Sequence, residues 1–589
     1  MLLDMRILQL LVNGRFNARS TGRPLWVLIA VALLATSCIS DASGPSAAGD
    51  EPAEAASSNE AQGTTSTTAP EQSLEPEANT VGAPTLNDPF VGDFGNGGYD
   101  VRSYELEIDW FPETGTLDGL TTIRALATQD LTRFNLDLVG FDVTSVRVDG
   151  EDVNSSRDGS ELTIDVPQPI NNGASFVVTI AYNGAPVEVD TSGPPPLGVA
   201  SGWNTYDDYV AVFGEPISAS TFHPANDHPS DKASFRYVIS APSTDVVAAS
   251  GTLESTSEDG GRTTWIYNAP APQAPYLTTI LIGPFDIIDA GESGSGVPIR
   301  NVFDSDLVET ATPVFATQDE MIDAFEELFG PYPFDVYGSA VIEDGFGGAL
   351  ETQTLSIYGA DILGLGAIAE RIVAHELAHQ WFGNNVSVET WSDLWLNEGF
   401  ATYAEVLWLE ARDGSFDFDA WAQNLGFQGD VLDGGIQPPP VEDLFAQGVY
   451  QRGALTLHAL RLEIGDEVFF DILKQWNARF AGQSVGTNDF VGLAQELSGE
   501  DLTEFFGQWL RQDELPGTIG DVTLSEPTEQ DVRAAIDEVA ECMAAQGFPV
   551  DIDSAADDLP AEINELFAQV FANDEDVAFN CSDSFTAFG

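Results

Sequence analysis

Between Tyr104 and Trp110 the chain alternates apolar Tyr104, Leu106, Ile108 and Trp110 with charged Glu105, Glu107 and Asp109. A period of two sends one set of side chains to a buried face and the other to water, the pattern of a half-buried strand. Similar runs recur at Leu162 to Val166, Phe176 to Tyr182 and Phe235 to Ile239, with Asp149-Gly150 and Asn183-Gly184 as turn signals. Residues 97–295 therefore read as an all-β domain. Beyond about Asn301 the period lengthens to that of a helix, first from Met321 to Phe329, ahead of a short strand at Val341. Ile368 and Ile372 precede His375 at helical spacing, and Gly383 with Asn384 supplies a C-terminal stop. A second helical stretch begins near Ser392 and runs through Glu398, Ala401, Ala404 and Leu407. Leu457, Leu460 and Ile464 describe the apolar face of a further helix, on which His458 reads as a packed or surface side chain. The pattern predicts a multidomain α+β chain. A β-rich N-terminal domain (97–295) is followed by a mainly helical domain (296–520) and a short helical C-terminal appendage (521–589).

The first 96 residues lie outside this pattern. Arg6, Arg15, Arg19 and Arg23 form a basic leader, Leu25 to Ala35 an apolar run, and Ala35-Thr36-Ser37-Cys38 a processing site, so residues 1–38 read as a signal peptide. Eleven apolar residues are too few to span a bilayer. Cys38 behind small residues has the look of a bacterial lipobox. The expectation is an exported chain held by a lipid on Cys38 at the outer face of the cytoplasmic membrane, with ordinary signal-peptidase cleavage and free secretion as the alternative. From 39 to 96 the chain is rich in Ala, Ser, Thr, Glu and Pro, lacks Lys and Arg up to Phe94, and reads as a disordered acidic tether.

Composition adds two constraints. The chain has 589 residues, 43% of them hydrophobic, enough for several cores, and a formal net charge of −74. Such a field opposes nucleic acids and anionic headgroups, so no nucleic-acid partner is expected and membrane contact is confined to the anchor. Of the three cysteines, Cys542 and Cys581 in the tail form a disulfide candidate, because an exported chain meets an oxidising compartment. No feature of the sequence fixes an oligomeric state.

The chemistry concentrates between His375 and Glu398, in HELAHQWFGNNVSVETWSDLWLNE. Four residues apart on a helix, His375 and His379 project from one face and can meet a single cation, with Glu376 leaning toward the same cleft. Glu398 follows after eighteen intervening residues and can complete a His, His, Glu set. Three protein ligands leave the fourth position of a tetrahedral zinc for water, which distinguishes a catalytic site from a closed structural one. The expected cofactor is one Zn2+ per chain, with Glu376 placed to take a proton from water. His223 and His228 flank Pro224 and Pro229 in a loop and read as structural.

The block HELAHQWFGN followed by WSDLWLNEGFATYAE resembles the gluzincin aminopeptidases typified by aminopeptidase N. Three further elements fit. Gly348-Ala349-Leu350-Glu351-Thr352 stands where that family has Gly, any residue, Met, Glu, Asn; Tyr450-Gln451-Arg452-Gly453-Ala454 is similar to its Tyr-Glu-Lys-Gly segment; and Glu215, nine residues before Pro224, matches the Gln or Glu of its N-terminal domain. Leu350, Thr352, Arg452 and Ala225 depart from the family pattern without removing a group that does chemistry. The resemblance implies a thermolysin-like catalytic domain and hydrolysis of N-terminal residues from peptide substrates. It gives Glu376 the role of general base and Tyr450 that of phenol donor to the developing oxyanion. Glu351 and Glu215 would receive the substrate amine, and Gly348 and Ala349 the substrate backbone. With about seventy residues after Gly520, the all-helical C-terminal domain usual in the family is not expected, and the cleft should be more open. A gluzincin endopeptidase, a non-catalytic peptide-binding lipoprotein and an epoxide hydrolase stay open as alternatives.

Overall fold

The computed structural model describes residues 80–187, 202–426 and 434–524 except 441 and 442, with a few isolated positions besides. The signal segment, Cys38, most of the acidic stretch and the tail cysteines Cys542 and Cys581 lie outside the described residues.

The alternating run at Tyr104 becomes the Tyr99–Phe111 strand, with Tyr104, Leu106, Ile108 and Trp110 all buried. It sits inside an eight-stranded sheet, antiparallel to Thr116–Ala127 and parallel to Ala233–Pro242. A three-stranded sheet of Leu131–Asp137, Glu161–Ile170 and Ser155–Asp158 shares its core. Asp149-Gly150 makes a turn, both residues at positive φ. Asn183-Gly184 does not: both lie within the Ser175–Gly184 strand, Asn183 pairing with Asp118 on one side and Asp142 on the other. Two flanking ladders outweigh a dipeptide's turn preference.

A four-stranded sheet joins the two halves of the molecule. Three of its strands, Val210–Phe213, Val246–Ala249 and Ile280–Gly283, are apolar throughout, as expected of strands covered on both faces, and Gly202–Thr205 forms an edge. Val210 and Val212 point into the β-domain core, while Ala211 and Phe213 point the other way, onto Phe285, Val302, Ala340 and Ile357 of the next sheet.

That next sheet has five strands and begins earlier than residue 296. Phe285–Glu292 pairs with Pro298–Asp304, which lies parallel to Ser339–Ile342, then Ser356–Gly359 and finally the edge strand Ala349–Leu350. The expected boundary at 295/296 therefore falls inside a hairpin, and the catalytic half starts near Phe285. Its described helices longer than two turns are α1 (Gln318–Phe329), α2 (Ala367–Ala378), α3 (Trp395–Asp413), α4 (Phe418–Gly426), α5 (Gln447–Ile464), α6 (Asp466–Arg479), α7 (Thr487–Ser498) and α8 (Thr503–Arg511). Helix α2 ends at Ala378 with His379 as its C-cap, earlier than the stop expected at Gly383. A small hairpin of Thr518–Ile519 and Val522–Thr523 follows, and a Cβ on Gly426 would meet Leu524, so the half extends past 520. No described helix is long and apolar enough to cross a membrane.

Order also begins before residue 97. Val81 forms a bridge with Arg133, and Phe90 and Val91 are buried in the catalytic core. Asp88 accepts hydrogen bonds from the backbone N–H groups of Phe90 (3.0 Å) and Trp391 (2.9 Å), so the stretch straps the β domain to the catalytic half.

Candidate active site

Helix α2 packs on α3 and α3 on α5, and α2 also meets the edge strand Ala349–Leu350 of the five-stranded sheet. The α3–α5 contact is a backbone approach. A Cβ on Gly399 or Gly453 would lie 2.8 Å from the other glycine's Cα, which only glycine permits. The contact sets Tyr450, one turn before Gly453, close to Glu398 in the first turn of α3.

His375 Nε2 is 3.3 Å and His379 Nε2 3.4 Å from the same oxygen, Glu398 Oε2. Nitrogen and oxygen ligands about 2.0–2.1 Å from a tetrahedral zinc stand about 3.3–3.4 Å apart, so the set fits that ion. The other ring nitrogens fix the tautomers. His379 Nδ1 donates to the Phe382 carbonyl (3.0 Å) and His375 Nδ1 to Glu405 Oε1 (3.0 Å), which leaves both Nε2 atoms available to a cation shared with Glu398. Burial alone would raise the Glu398 carboxyl, yet the positive charge and hydrogen bonds that His379 and His375 offer as imidazolium ions hold it at about 2 when no cation is bound. Glu405 is gripped in turn by Arg371, whose Nε and Nη2 donate to Oε2 at 3.0 and 2.8 Å. Neither residue stood out in the sequence, although the spacing carried a signal. Glu405 is two turns beyond Glu398 on α3, and Arg371 one turn before His375 on α2.

Glu376 lies in the same cleft, buried. Burial pushes its carboxyl up to about 8; the imidazoles oppose the rise, and Glu351 and Glu398 add to it. A carboxylate poised in that range suits proton transfer near neutrality. Tyr450 lines the cleft with its ring 6.2 Å from that of His375, nearly parallel to it. Burial and then the neighbouring glutamates raise its phenol well above the usual range, so it stays a neutral donor.

Glu351 and Glu215 reach the cleft from opposite halves of the molecule. Glu351 follows the edge strand; its backbone carbonyl accepts from Gln380 Nε2 (3.1 Å) and Asn384 Nδ2 (2.6 Å), just past α2, and its Oε1 from Tyr276 (3.2 Å). Glu215 arrives two residues after Phe213, the end of the buried four-stranded sheet. Burial, then the charges of Glu351, Glu398 and Glu376, push its carboxyl well above the usual range. Gly348 and Ala349 line the cleft on the free side of the edge strand. Every residue given a metal-binding, catalytic or substrate-binding role from the sequence thus borders one cleft of about 380 Å³.

The remaining candidates lie elsewhere. Arg452 is fully buried and donates to six backbone carbonyls, of Leu432, Gly434, Gln508, Trp509, Gln512 and Asp513. His223 donates from Nδ1 to the Pro224 carbonyl (2.8 Å), and His228 Nε2 faces Asp88 (3.3 Å). His458 stacks on Phe418 and meets the Tyr403 hydroxyl at 3.1 Å, a packed core histidine.

Comparisons with known proteins match the two halves of the chain. The family model "Peptidase M1 N-terminal domain" covers residues 101–277 and "Peptidase family M1 domain" residues 314–509. Aminopeptidase N of Streptomyces lividans is 26% identical over 442 residues, 70% of this chain and 50% of that protein. Aminopeptidase M1 of Arabidopsis thaliana is 31% identical over 329 residues, 51% of this chain and 36% of that one. The chain thus spans between about a third and a half of the length of these curated relatives. Among solved structures, the M1 zinc metallopeptidase from Deinococcus radiodurans superposes with a TM-score of 0.69 at 31% identity, covering 74% of this chain and 99% of that one. A mutant of it bound to a Tyr-Ser-Ala substrate superposes equally well, at 30% identity over the whole of that chain.

Proposed function

The chain belongs to peptidase family M1, and from that premise we propose that it is a zinc-dependent aminopeptidase that removes N-terminal residues from peptides. The observation that carries the reading is the meeting, in one cleft, of the His375, His379 and Glu398 set with the amine-facing pair Glu215 and Glu351. A zinc ion held by the first three supplies a Lewis acid and a bound water with a pKa near about 7.

The chain's own groups do the rest. Glu376 takes the proton of the attacking water and returns it to the departing nitrogen. Tyr450 donates its phenolic hydrogen to the carbonyl oxygen as negative charge grows there, an interaction stronger in the transition state than in the bound peptide. Glu215 and Glu351 receive the free ammonium through charge-assisted hydrogen bonds, which registers cleavage from the amino end. The free side of Ala349–Leu350 accepts the extended peptide as an added strand.

Cleavage of a free peptide compared with its N-acetylated form tests amine capture. The acetylated form should be cleaved at least about a hundredfold more slowly, the order expected when a buried polar site loses its partner. Equal rates would point to an endopeptidase. Glu376→Gln should retain one zinc and lose activity; an unchanged rate would remove the proton-transfer role. We extend the proposal to export and a lipid anchor at Cys38, on the basic, apolar and small-residue order of the leader. Mass spectrometry of the mature N-terminus from native membranes tests it, and an unmodified residue 38 would remove the anchor.

A further inference from the structure

Four buried glutamates share the cleft, and the zinc set uses one. Glu215, Glu351 and Glu398 each offer an oxygen such that the three atoms lie within 4.8 Å of one another. Their exposures are 9%, 2% and 3%, and Glu215 Oε1 is buried without a hydrogen-bond partner. Among the described residues lining the cleft there is no lysine or arginine, while Asp443 adds a fifth carboxylate.

Before substrate arrives, Glu215, Glu351 and Glu398 face one another around a place meant for an ammonium, and with no lysine or arginine on the described lining a zinc ion would be their one counter-charge. Like charges held this close in a buried site repel strongly, and whatever neutralises them binds favourably. The donors are all carboxylate oxygens, which suits hard cations of flexible coordination such as Mn2+ or Ca2+, with water completing the shell from the cleft's open side.

We propose that the zinc-loaded, peptide-free protein binds a second, hard divalent cation between Glu215, Glu351 and Glu398, with Glu398 bridging the two ions. This cation occupies the position of the substrate ammonium and competes with it. The inference rests on the aminopeptidase reading, and it makes divalent cations beyond the first zinc competitive inhibitors that raise KM and leave kcat unchanged.

Mn2+ is the probe. Zinc-loaded full-length protein is titrated with Mn2+ at about 0.15 M KCl, where surface carboxylates are screened, and free Mn2+ is read by electron paramagnetic resonance. The expected result is one Mn2+ beyond the single zinc, displaced by leucine amide. Glu215→Gln should weaken that uptake about tenfold or more with the zinc content unchanged. If Glu215→Gln does not fold, Glu351→Gln makes the same comparison. A second Mn2+ that leucine amide fails to displace, or that neither variant weakens, overturns the inference. A chain that loads zinc and cleaves peptides but takes up no such Mn2+ sinks the inference alone. A chain that cannot load zinc at all sinks the functional reading with it.

Discussion

Gly453→Ala tests whether the place of Tyr450 is set by the contact between α3 and α5. A Cβ at 453 would lie 2.8 Å from Gly399 Cα and 3.4 Å from Gly399 N. Carbon atoms rest comfortably at about 3.5–4.0 Å, so the contact is short by roughly 0.7 Å or more. The obstacle is helix backbone and cannot rotate away, so the two axes must part by a similar amount. Overpacking of this kind costs about 1–3 kcal/mol. Alanine returns about 1 kcal/mol of helix propensity, leaving a net loss of roughly 0–2 kcal/mol. The fold should survive with a modest drop in Tm.

Function should suffer more than stability. Tyr450 rides on α5 one turn from the substitution, and a misplacement of about 1 Å at a reacting group can cost about a hundredfold. We expect kcat to fall by about ten- to a hundredfold, with zinc content intact and KM little changed. The assay is kcat and KM on an aminoacyl fluorogenic substrate, beside thermal unfolding and metal analysis, in the wild-type and Tyr450→Phe backgrounds. Because the loss runs through the phenol, Gly453→Ala should cost little more once that phenol is gone. A kcat within about twofold of wild type, or an equal loss repeated on Tyr450→Phe, would refute the reasoning.

Three further outcomes follow from the same geometry. Glu405→Gln weakens the hold on the His375 ring and should lower zinc affinity by about 10- to 100-fold, read by chelator competition; an unchanged affinity would deny Glu405 a positioning role. Arg452→Met removes a charged donor from six carbonyls near 432–434 and 508–513 and should destabilise by at least about 3 kcal/mol in urea unfolding, while folded protein retains its kcat. Burial, then the charge of Arg461, lowers the His458 pKa to about 4, against about 6.5 unfolded. The unfolded chain protonates first, so stability present above about pH 6.5 is lost as pH falls toward 4, by up to about 3 kcal/mol. His458→Phe should flatten that acid limb relative to wild type, and parallel pH curves would rule the contribution out.

What was legible in the sequence was local. Two imidazoles four residues apart on a helix, and a carboxylate opening the next helix, are close neighbours along the chain, so spacing alone brings them near. Four strands of the β domain, around Tyr104, Leu162, Phe176 and Phe235, declared themselves by a local period in the same way. Residues 80–96 did not, because they have no period of their own. Their order comes from partners far along the chain, such as Asp88 with Trp391 and Val81 with Arg133. The Phe285–Glu292 strand shows the other limit. Its pattern is that of any strand, and only its pairing with Pro298–Asp304 assigns it to the catalytic sheet. Tyr276 likewise gave no local sign that its hydroxyl would reach Glu351.

The selectivity proposed for this cleft is a property of the joint between the two halves. The zinc set, Glu376, Tyr450 and Glu351 all come from the catalytic half, but Glu215 comes from the β domain, at the end of a strand buried on both faces. A sheet packed between two cores has little freedom to slide, since moving it disturbs Val210 and Val212 on one side and Ala211 and Phe213 on the other. Lys232 strengthens the joint from the β-domain side, donating to the carbonyls of Asn384 (2.7 Å) and Asn385 (2.8 Å), in the same turn whose Asn384 side chain holds the Glu351 backbone. A change that loosens this joint should therefore leave zinc and Glu376 in place and weaken the discrimination between free and blocked amino ends. Lys232→Met is the direct case. It should narrow the rate ratio between a free and an acetylated peptide while zinc content stays at one per chain, and a ratio unchanged in a stably folded variant would mean that the catalytic half holds the amine without help.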